Sequence, residues 1–155
     1  MAICREYPGL KGTVADLPGV TRLASRFIAE AEMSEVIDVS AVDLRSAPPA
    51  GKEEAVLLRA VIQTFDKDDA VKILRNISLA MPSGGQIFIV GSILDNSHRG
   101  PMSAVAYSLV FLNTYDNGGA YTDDEYREML VSSGFTDISV AHEALPDGMG
   151  IVSAK

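Results

Sequence analysis

Two carboxylates stand where two predicted strands end, and they are the clearest candidates for a chemical role. Asp16 closes the apolar stretch Gly12 to Asp16, and Asp43 comes shortly after the stretch Val36 to Ala41. Ligands of open α/β sheets bind outside the carboxyl ends of the strands. A carboxylate there can accept both hydroxyls of a ribose, and a second one, one strand further on, can accept from an adenine amino group. The alternative is that each carboxylate caps the turn after it, and position alone gives both interpretations equal weight.

Sequence motifs of other catalytic classes do not occur in this chain. It has no P-loop, no nucleophile elbow, no His-Glu metal-binding helix and no Cys-x-x-Cys pair, so no metal site is expected. The two histidines, His98 and His142, lie in a polar loop and in a predicted strand, and both are expected at the protein surface. The single cysteine, Cys4, excludes an internal disulfide and a cysteine zinc cluster, which favours a cytoplasmic location.

The length and composition predict one domain over residues 1–155. The chain has 155 residues, of which 47% are hydrophobic, enough for one sizeable core. Its 13 Lys and Arg residues stand against 21 Asp and Glu, giving a formal net charge of -8. This acidic balance excludes a nucleic-acid backbone or an anionic membrane as an expected partner. The apolar stretches are shorter than the roughly 20 residues that a membrane span needs.

The elements that must position the two carboxylates follow from the apolar pattern. Apolar runs of strand length alternate with segments of helical periodicity, which is typical of an α/β sandwich with a mostly parallel sheet. The predicted strands are Gly12 to Asp16, Val36 to Ala41, Glu54 to Arg59, Gln86 to Gly91, Asp137 to Leu145 and Met149 to Ala154. The predicted helices are Val20 to Ala31, Asp68 to Ala80, Pro101 to Asn113 and Thr122 to Ser132. The last two strands, joined by Pro146-Asp147-Gly148, are predicted to form a β-hairpin.

Two of these helices carry further information. Thr122 stands three residues before Glu125, a spacing that predicts a capping box at the helix start, and Gly134 predicts the helix end. The helix Pro101 to Asn113 is strongly apolar. It could pack in the core, line a pocket or pack on a partner, and core packing is the favoured expectation.

Several segments carry a resemblance to a known family, in the same order along the chain. They are Asp16-Leu17-Pro18, Val42-Asp43-Leu44, Leu57 to Ala70, Ile73-Leu74-Arg75, Met81 to Gln86 and Tyr121 to Phe135. They resemble the catalytic half of the S-adenosylmethionine-dependent small-molecule O-methyltransferases of the plant phenolic, hydroxyindole and bacterial polyketide type. The resemblance implies a Rossmann-like class I methyltransferase sandwich that binds S-adenosylmethionine and methylates a small hydroxylated aromatic or polyketide-like molecule.

The resemblance also implies a cofactor site. Asp16 would hold the ribose hydroxyls, the leucine after it would pack on the adenine, and Asp43 with its following leucine would bind the adenine edge. An arginine stands where the family usually has a lysine near the cofactor, and a phenylalanine stands where it has a tryptophan. The cofactor-binding residues implied in this way are Asp16, Leu17, Asp43, Leu44, Arg59 and Phe65.

The chain departs from the family where the family has its catalytic base. Family members that deprotonate a phenol have a His-Asp pair before the aromatic residue, and these positions are Gln63 and Thr64 here. Neither side chain can act as a base near neutral pH. Two acidic residues that commonly flank that histidine correspond to Gly91 and Ala120. No catalytic residue is therefore assigned. Either the acceptor is acidic enough to need no base, or the chemistry differs, or the domain binds without catalysing.

The beginning of the chain differs from the family as well. In the family, a first strand and a Gly-rich loop precede the helix that Ala2 to Tyr7 resembles, and a helical dimerisation domain precedes them. The resemblance thus implies a catalytic domain truncated at its N-terminus, which a homodimer or a missing N-terminal domain would complete. The missing strand normally lies between the strands that end at Asp16 and Arg59. The chain must therefore close that gap or leave two strand edges unpaired.

Two functions of different classes follow from these matches and departures. The first is a methyltransferase domain, with the fragment itself expected to be inactive because it lacks the loop that grips the methionine part of the cofactor. The second is a non-catalytic ligand-binding or interaction module derived from the same fold. Gln63, Gly91 and the missing loop are the features that favour the second function.

Overall fold

Strands and helices alternate along the chain as the apolar pattern predicts. The structure is a computed structural model that describes all residues, 1–155. The strands are β1 (Gly12–Asp16), β2 (Ile37–Ala41), β3 (Ala55–Arg59), β4 (Gln86–Gly91), β5 (Ile93–Leu94), β6 (Tyr121–Thr122), β7 (Ser139–Ala141) and β8 (Gly150–Ala154). The helices are α1 (Ala2–Glu6), α2 (Pro18–Glu30), α3 (Lys67–Ala80), α4 (Met102–Thr114) and α5 (Asp123–Ser132), with a 3-10 turn over Ile62–Thr64. None of these helices combines the length and the apolar composition that a membrane span requires.

The strands form three separate sheets. β1 pairs with β2, β5 pairs with β6, and the largest sheet has the order β3-β4-β8-β7. The pairs β1-β2, β3-β4 and β5-β6 are parallel, whereas β8 is antiparallel to both β4 and β7. β4 therefore lies inside its sheet, as its apolar sequence predicts. The mostly parallel α/β architecture with a terminal antiparallel hairpin is confirmed, and the short strands β5 and β6 were not predicted.

The main core lies between the four-stranded sheet and the helices α3 and α5. Ile87 and Ile89 of β4 are 0% and 1% exposed, because alternate residues of a strand share one face. The helices cover this face with side chains at helical spacing, which are Ala70, Ile73, Leu74 and Ile77 from α3 and Tyr126, Met129 and Leu130 from α5. This core fixes β3 and β4, and with them the segments that follow their carboxyl ends.

The predicted start and end of α5 are confirmed. Thr122 Oγ1 accepts a hydrogen bond from the Glu125 backbone N at 3.2 Å, and Glu125 Oε2 accepts one from the Thr122 backbone N at 2.8 Å. This reciprocal pair satisfies two backbone donors at the helix start. Gly134 follows the helix with a φ of +94°, a left-handed conformation that glycine adopts without steric cost.

The terminal hairpin has the predicted pairing, but its first strand is much shorter than predicted. β7 ends at Ala141, whereas the prediction extended it to Leu145. Residues 142–149 instead form a loop, because Leu145 N bonds to Met149 O at 3.0 Å within the loop, and Pro146 has no N–H to donate to a strand. This loop lies where β4 ends, since the last residue of β4 pairs with the first residue of β8.

The prediction that the apolar helix over Pro101 to Asn113 packs in the core is wrong. Only Ala104 and Phe111 of α4 are buried, whereas Leu109 and Leu112 are 58% and 60% exposed. Apolar side chains surround α4 on all sides, and its main neighbour is the short strand β5. A helix with one small neighbour can bury only one of its faces, so the others stay uncovered.

A gap separates the β1-β2 sheet from the four-stranded sheet. β1 has no partner on the side away from β2, and β3 has none on the side away from β4. The two edges are near each other, because Thr13 Oγ1 of β1 donates to Glu53 Oε1, just before β3, at 3.0 Å. Of the two expected arrangements, a closed gap or two unpaired strand edges, the structure shows the unpaired edges.

Candidate functional site

Asp16 and Asp43 lie at the same end of the β1-β2 sheet. In the parallel register Asp16 is the partner of Ala41, and the Val42 backbone N donates to the Asp16 carbonyl at 2.8 Å. Asp43 is the next residue. The fold therefore places the two carboxylates at the carboxyl ends of neighbouring parallel strands, the position at which α/β sheets bind ligands.

Each of these carboxylates also makes a local turn contact. Asp16 Oδ1 accepts from the Leu17 backbone N at 2.7 Å, and Asp43 Oδ1 accepts from the Arg45 backbone N at 3.0 Å. The turn-capping interpretation is thus correct for one oxygen of each side chain. Asp16 is exposed, and its second oxygen makes no hydrogen bond within the chain. That oxygen is open to a ligand hydroxyl, so capping and ligand binding do not exclude each other here.

The leucines that follow the two carboxylates have different environments. Leu17 precedes the first residue of α2 and is 46% exposed, so it presents apolar surface beside Asp16. Leu44 packs partly against the main core, and its carbonyl accepts from Asn76 Nδ2 of α3 at 2.8 Å. The turn after β2 is therefore anchored to α3, and the turn after β1 is more open.

Arg45 contacts the candidate site through Asp43, and the sequence pattern did not indicate it. Its guanidinium binds Asp43 in a bidentate pair, with Nε 3.0 Å from Oδ1 and Nη2 2.7 Å from Oδ2. These bonds hold the pKa of the Asp43 carboxyl below its ordinary value. The guanidinium also lies over the Phe65 ring, with Cζ 5.8 Å from the ring centroid. A basic residue two positions after an aspartate in a turn is the sequence signal that could have indicated this pair.

Arg45 and Phe65 line an open cavity of about 310 Å³ at this end of the molecule. Residues 114–117, at the C-terminal end of α4 and just after it, also line the cavity, and the start of α3 contributes Asp66 and Asp69. The cavity combines two aromatic rings, Phe65 and Tyr115, and one guanidinium plane with several carboxylates. This composition suits a flat ligand that carries hydrogen-bond donors.

Arg59 makes no hydrogen bond or ion pair with Asp16 or Asp43 in this structure. It ends β3 and is well exposed, and its Nη2 lies 3.2 Å from Asp147 Oδ2 in the 142–149 loop. Phe65 is partly buried against the main core, and its ring contacts the guanidinium of Arg45, which in turn binds Asp43. Six residues were implied as cofactor ligands. Asp16 and Asp43, each with the leucine after it, lie at the same end of the β1-β2 sheet, and Phe65 contacts Arg45 beside them. Arg59 instead contacts the hairpin loop.

Gln63, which by the family resemblance corresponds to the usual catalytic base, has a fully buried side chain. It is 0% exposed, its Nε2 donates to Tyr126 Oη at 2.7 Å, and its Oε1 has no hydrogen-bond partner in the chain. A Cβ atom at Gly91 would lie only 1.9 Å from Gln63 Nε2, so the amide fills the space that a side chain at position 91 would need. Burial also raises the pKa of the Tyr126 hydroxyl. Neither group can accept a proton near neutral pH.

The two histidines are exposed, as predicted. His98 lies in a turn with a φ of +59°, and His142 Nε2 lies 3.7 Å from Asp123 Oδ2 at the start of α5. Neither histidine contacts Asp16, Asp43 or Gln63 through a hydrogen bond or an ion pair. The site therefore contains carboxylates, a guanidinium and a buried amide.

A family model described as the O-methyltransferase domain matches residues 1–136. The chain belongs to this family. Among curated relatives, this O-methyltransferase domain is 35% identical to a 3-hydroxy-5-methyl-1-naphthoate 3-O-methyltransferase from Streptomyces sahachiroi, over 97% of this chain and 44% of that protein. It is also 30% identical to the acetylserotonin O-methyltransferase of Bos taurus, over 85% of this chain and 37% of that protein. The domain thus spans less than half the length of these relatives.

Solved structures agree with the family assignment. The O-methyltransferase domain superposes on a structure named "PigF with SAH". The TM-score is 0.90 at 25% identity, and the match covers 100% of this chain and 46% of that one. It superposes on human N-acetylserotonin methyltransferase in complex with SAM with a TM-score of 0.81 at 27% identity, covering 98% of this chain and 42% of that one. The fold is therefore that of the class I O-methyltransferases, with its sheets left open.

Proposed function

We propose that this O-methyltransferase domain is the catalytic domain, or part of one, of an S-adenosylmethionine-dependent enzyme that methylates a small hydroxylated aromatic or polyketide-like molecule. The observation that carries the proposal is the juxtaposition of Asp16 and Asp43 at the carboxyl ends of neighbouring parallel strands. Relatives named for a naphthoate and for acetylserotonin support the acceptor class. Structures named with SAH and with SAM support the cofactor.

The residues present fit the adenosine half of this cofactor. A ribose needs hydrogen-bond acceptors, and the open oxygen of Asp16 is one. The exposed side chain of Leu17 offers apolar surface to the base, and Asp43 offers an ionised acceptor to the adenine amino group. Arg59 can also contribute, because an exposed ion pair such as that with Asp147 contributes little free energy and exchanges partners readily.

The proposed mechanism depends on positioning rather than on a general base. When bound, S-adenosylmethionine supplies an electrophilic methyl group. The chain orients the adenosine half through Asp16 and Asp43, and holding two reactants in line supplies much of the rate. Gln63 and Tyr126 bond to each other and cannot take a proton from the acceptor. We therefore expect an acceptor that is already ionised, or otherwise nucleophilic, before transfer.

We infer that a strand from the rest of a longer protein fills the gap between β1 and β3. Both free edges belong to strands in parallel pairs, so one added parallel strand satisfies them together. Leu57 of β3 is 52% exposed at this edge, which leaves apolar surface for the added segment. The same longer protein would also cover the apolar faces of α4, or a second copy of the chain in a homodimer would cover them.

We also propose that residues 1–155 form one domain and that the protein is located in the cytoplasm.

A non-catalytic binding or interaction module is the second candidate function. The buried Gln63 favours it, because the position of the usual base holds an amide that faces the protein interior. Cofactor binding without methylation of any phenolic or polyketide acceptor, in the full-length protein, would support this second function. Turnover of one such acceptor would exclude it.

The decisive experiment replaces Asp16 with alanine in the full-length protein and measures S-adenosylhomocysteine binding by calorimetry. Loss of a charged acceptor for buried hydroxyls is expected to weaken binding by about 1–3 kcal/mol. Glu35→Ala is the matched control, because Glu35 is an exposed carboxylate before β2, at the opposite end of the strand. An unchanged dissociation constant for Asp16→Ala would show that Asp16 only caps its turn.

A second titration compares the 155-residue chain with the full-length protein. The shorter chain is expected to bind S-adenosylhomocysteine weakly and to show no turnover, because the free edges of β1 and β3 leave the cofactor side of the sheet open. Tight stoichiometric binding by the 155 residues would contradict the proposed completion by another segment.

A further inference from the structure

We propose that Arg45 is a positioning residue that sets the preference of this site for adenine, through its bidentate hold on Asp43. The proposal rests on the proposed cofactor site and adds a residue that neither the sequence pattern nor the family resemblance assigned. The Arg45 side chain makes three contacts. Arg45 binds both oxygens of Asp43, approaches Asp69 Oδ2 with Nη1 at 3.9 Å, and lies over the Phe65 ring.

Arg45 occupies most of the acceptor positions of Asp43. A carboxylate has about four lone-pair positions, two on each oxygen. Oδ1 accepts from both the backbone N and Nε of Arg45, and Oδ2 accepts from Nη2. One position on Oδ2 remains. Arg45 therefore leaves Asp43 with a single open acceptor in a fixed direction, which suits one N–H of an exocyclic amine.

The contact with Asp43 also orients the guanidinium plane of Arg45. A bidentate pair fixes the plane of an arginine, which a lysine cannot reproduce. Here the fixed plane lies over Phe65 and forms part of the wall of the 310 Å³ cavity. Asp69 lies 3.9 Å from Arg45 Nη1, although Lys72 Nζ holds Asp69 more closely, at 2.7 Å. The guanidinium plane and the open oxygen of Asp43 are thus joined by the same two hydrogen bonds, beside the cavity that Arg45 lines.

A merely structural role for Arg45 makes a different prediction. If Arg45 only stabilises the turn after β2, its loss weakens all ligands of the site equally. If it positions the open oxygen of Asp43, its loss weakens ligands that carry the amino group and spares those that lack it. The comparison of two ligands therefore separates the two roles.

The test measures binding of S-adenosylhomocysteine and of its analogue with hydrogen in place of the 6-amino group, in the full-length protein. The unchanged protein is expected to prefer the amino form by about 10- to 100-fold, the size of one hydrogen bond to a charged group. Arg45→Ala is expected to remove most of this preference while analogue binding stays within about threefold, and Arg45→Lys to retain an intermediate preference.

Arg26→Ala is the matched control. Arg26 makes the same kinds of contact away from the site, with Glu30 at 3.5 Å and the Phe27 ring at 5.0 Å. It is expected to leave the preference unchanged. Equal weakening of both ligands by Arg45→Ala, or an unchanged preference, would overturn the role of Arg45 alone. Failure of the unchanged full-length protein to bind either ligand would overturn the proposed cofactor site itself.

Discussion

The Gln63 side chain occupies the space that a side chain at position 91 would need. The residue type that fits at one of these positions therefore depends on the residue at the other. Gln63 can turn inward and donate to Tyr126 because position 91 has no side chain. By the family resemblance, these positions usually hold a histidine and an acid. The two departures from the family are therefore one structural change, in which a buried amide replaces a base and its partner.

Gly91→Ala is expected to lower the free energy of unfolding by about 1–3 kcal/mol, because the new methyl group meets the Gln63 amide. Gln63→Ala alone is also expected to be destabilising, since it leaves the buried Tyr126 hydroxyl without a partner. The double variant should lose less than the sum of the two, because the shortened side chain makes room for the methyl group. Urea denaturation measures all three.

Gly19→Ala is the control for this cycle. A Cβ atom at Gly19 meets nothing within 4 Å, and Gly19 lies in α2, so alanine there is expected to be neutral or stabilising by about 0.5–1 kcal/mol. Strictly additive losses for Gly91→Ala and Gln63→Ala would show that the two positions are independent.

The Asp43-Arg45 pair predicts a measurable titration. Because Arg45 lowers the pKa of Asp43 below its ordinary value of 3.8, the pair stabilises the fold above that value and loses this contribution as pH falls through the lowered pKa. Carboxyl carbon NMR is expected to show Asp43 titrating below 3.8, and closer to 3.8 in Arg45→Ala. Arg26→Ala should leave the titration unchanged. A pKa of Asp43 that does not respond to Arg45→Ala would contradict the pair in solution.

At the scale of the elements, residues at the two ends of α5 determine where this helix begins and ends. The capping box at Thr122 and Glu125 and the left-handed Gly134 are local signals, so they do not depend on the rest of the fold. α4 has no comparable signal, since no side chain caps its start. Its position is decided by what packs against it.

Thr122→Ala is expected to reduce the free energy of unfolding by about 0.5–2 kcal/mol, because it removes the side-chain acceptor of the Glu125 N–H. Thr122→Ser keeps this acceptor and should recover most of the loss. Chemical denaturation followed by circular dichroism measures both variants. Equal losses for alanine and serine would show that packing of the buried Thr122 methyl group, and not capping, is responsible.

At the scale of the whole molecule, backbone groups face the gap between the sheets. In β1 the Gly12 N–H and the Asp16 carbonyl bond toward β2, so by strand alternation Thr13 and Ala15 direct their backbone groups to the gap. The same alternation applies to β3. The Gln86 N–H donates to the Glu54 carbonyl, and the Ala60 N–H donates to the Val90 carbonyl, so the even-numbered residues bond toward β4. The odd-numbered residues of β3 therefore face the gap.

Hydrogen exchange tests this open edge. The amides of Thr13, Ala15, Ala55, Leu57 and Arg59 are expected to exchange quickly in the 155-residue chain and to become protected in the full-length protein, because an added strand would accept from them. The amides of β4 are the internal control and should be protected in both. Equal protection of the five amides in the two proteins would show that nothing pairs with these edges.

The amino-acid sequence was sufficient for features that depend on neighbours in the chain or on the period of a single element. The apolar run of β4, the capping box of α5 and the placement of Asp16 and Asp43 after successive strands all belong to this class. They are local because a strand needs a two-residue period, a helix start needs a cap, and parallel strands end at the same edge.

Other features were decided by contacts between residues far apart in the chain. Gln63 is buried because Gly91 leaves it room and Tyr126 offers it an acceptor, and Arg59 turns to Asp147 because a loop 88 residues away lies beside it. The exposure of α4 has the same origin. An apolar sequence shows that a face can be buried, but only the arrangement of the other elements decides whether anything covers it.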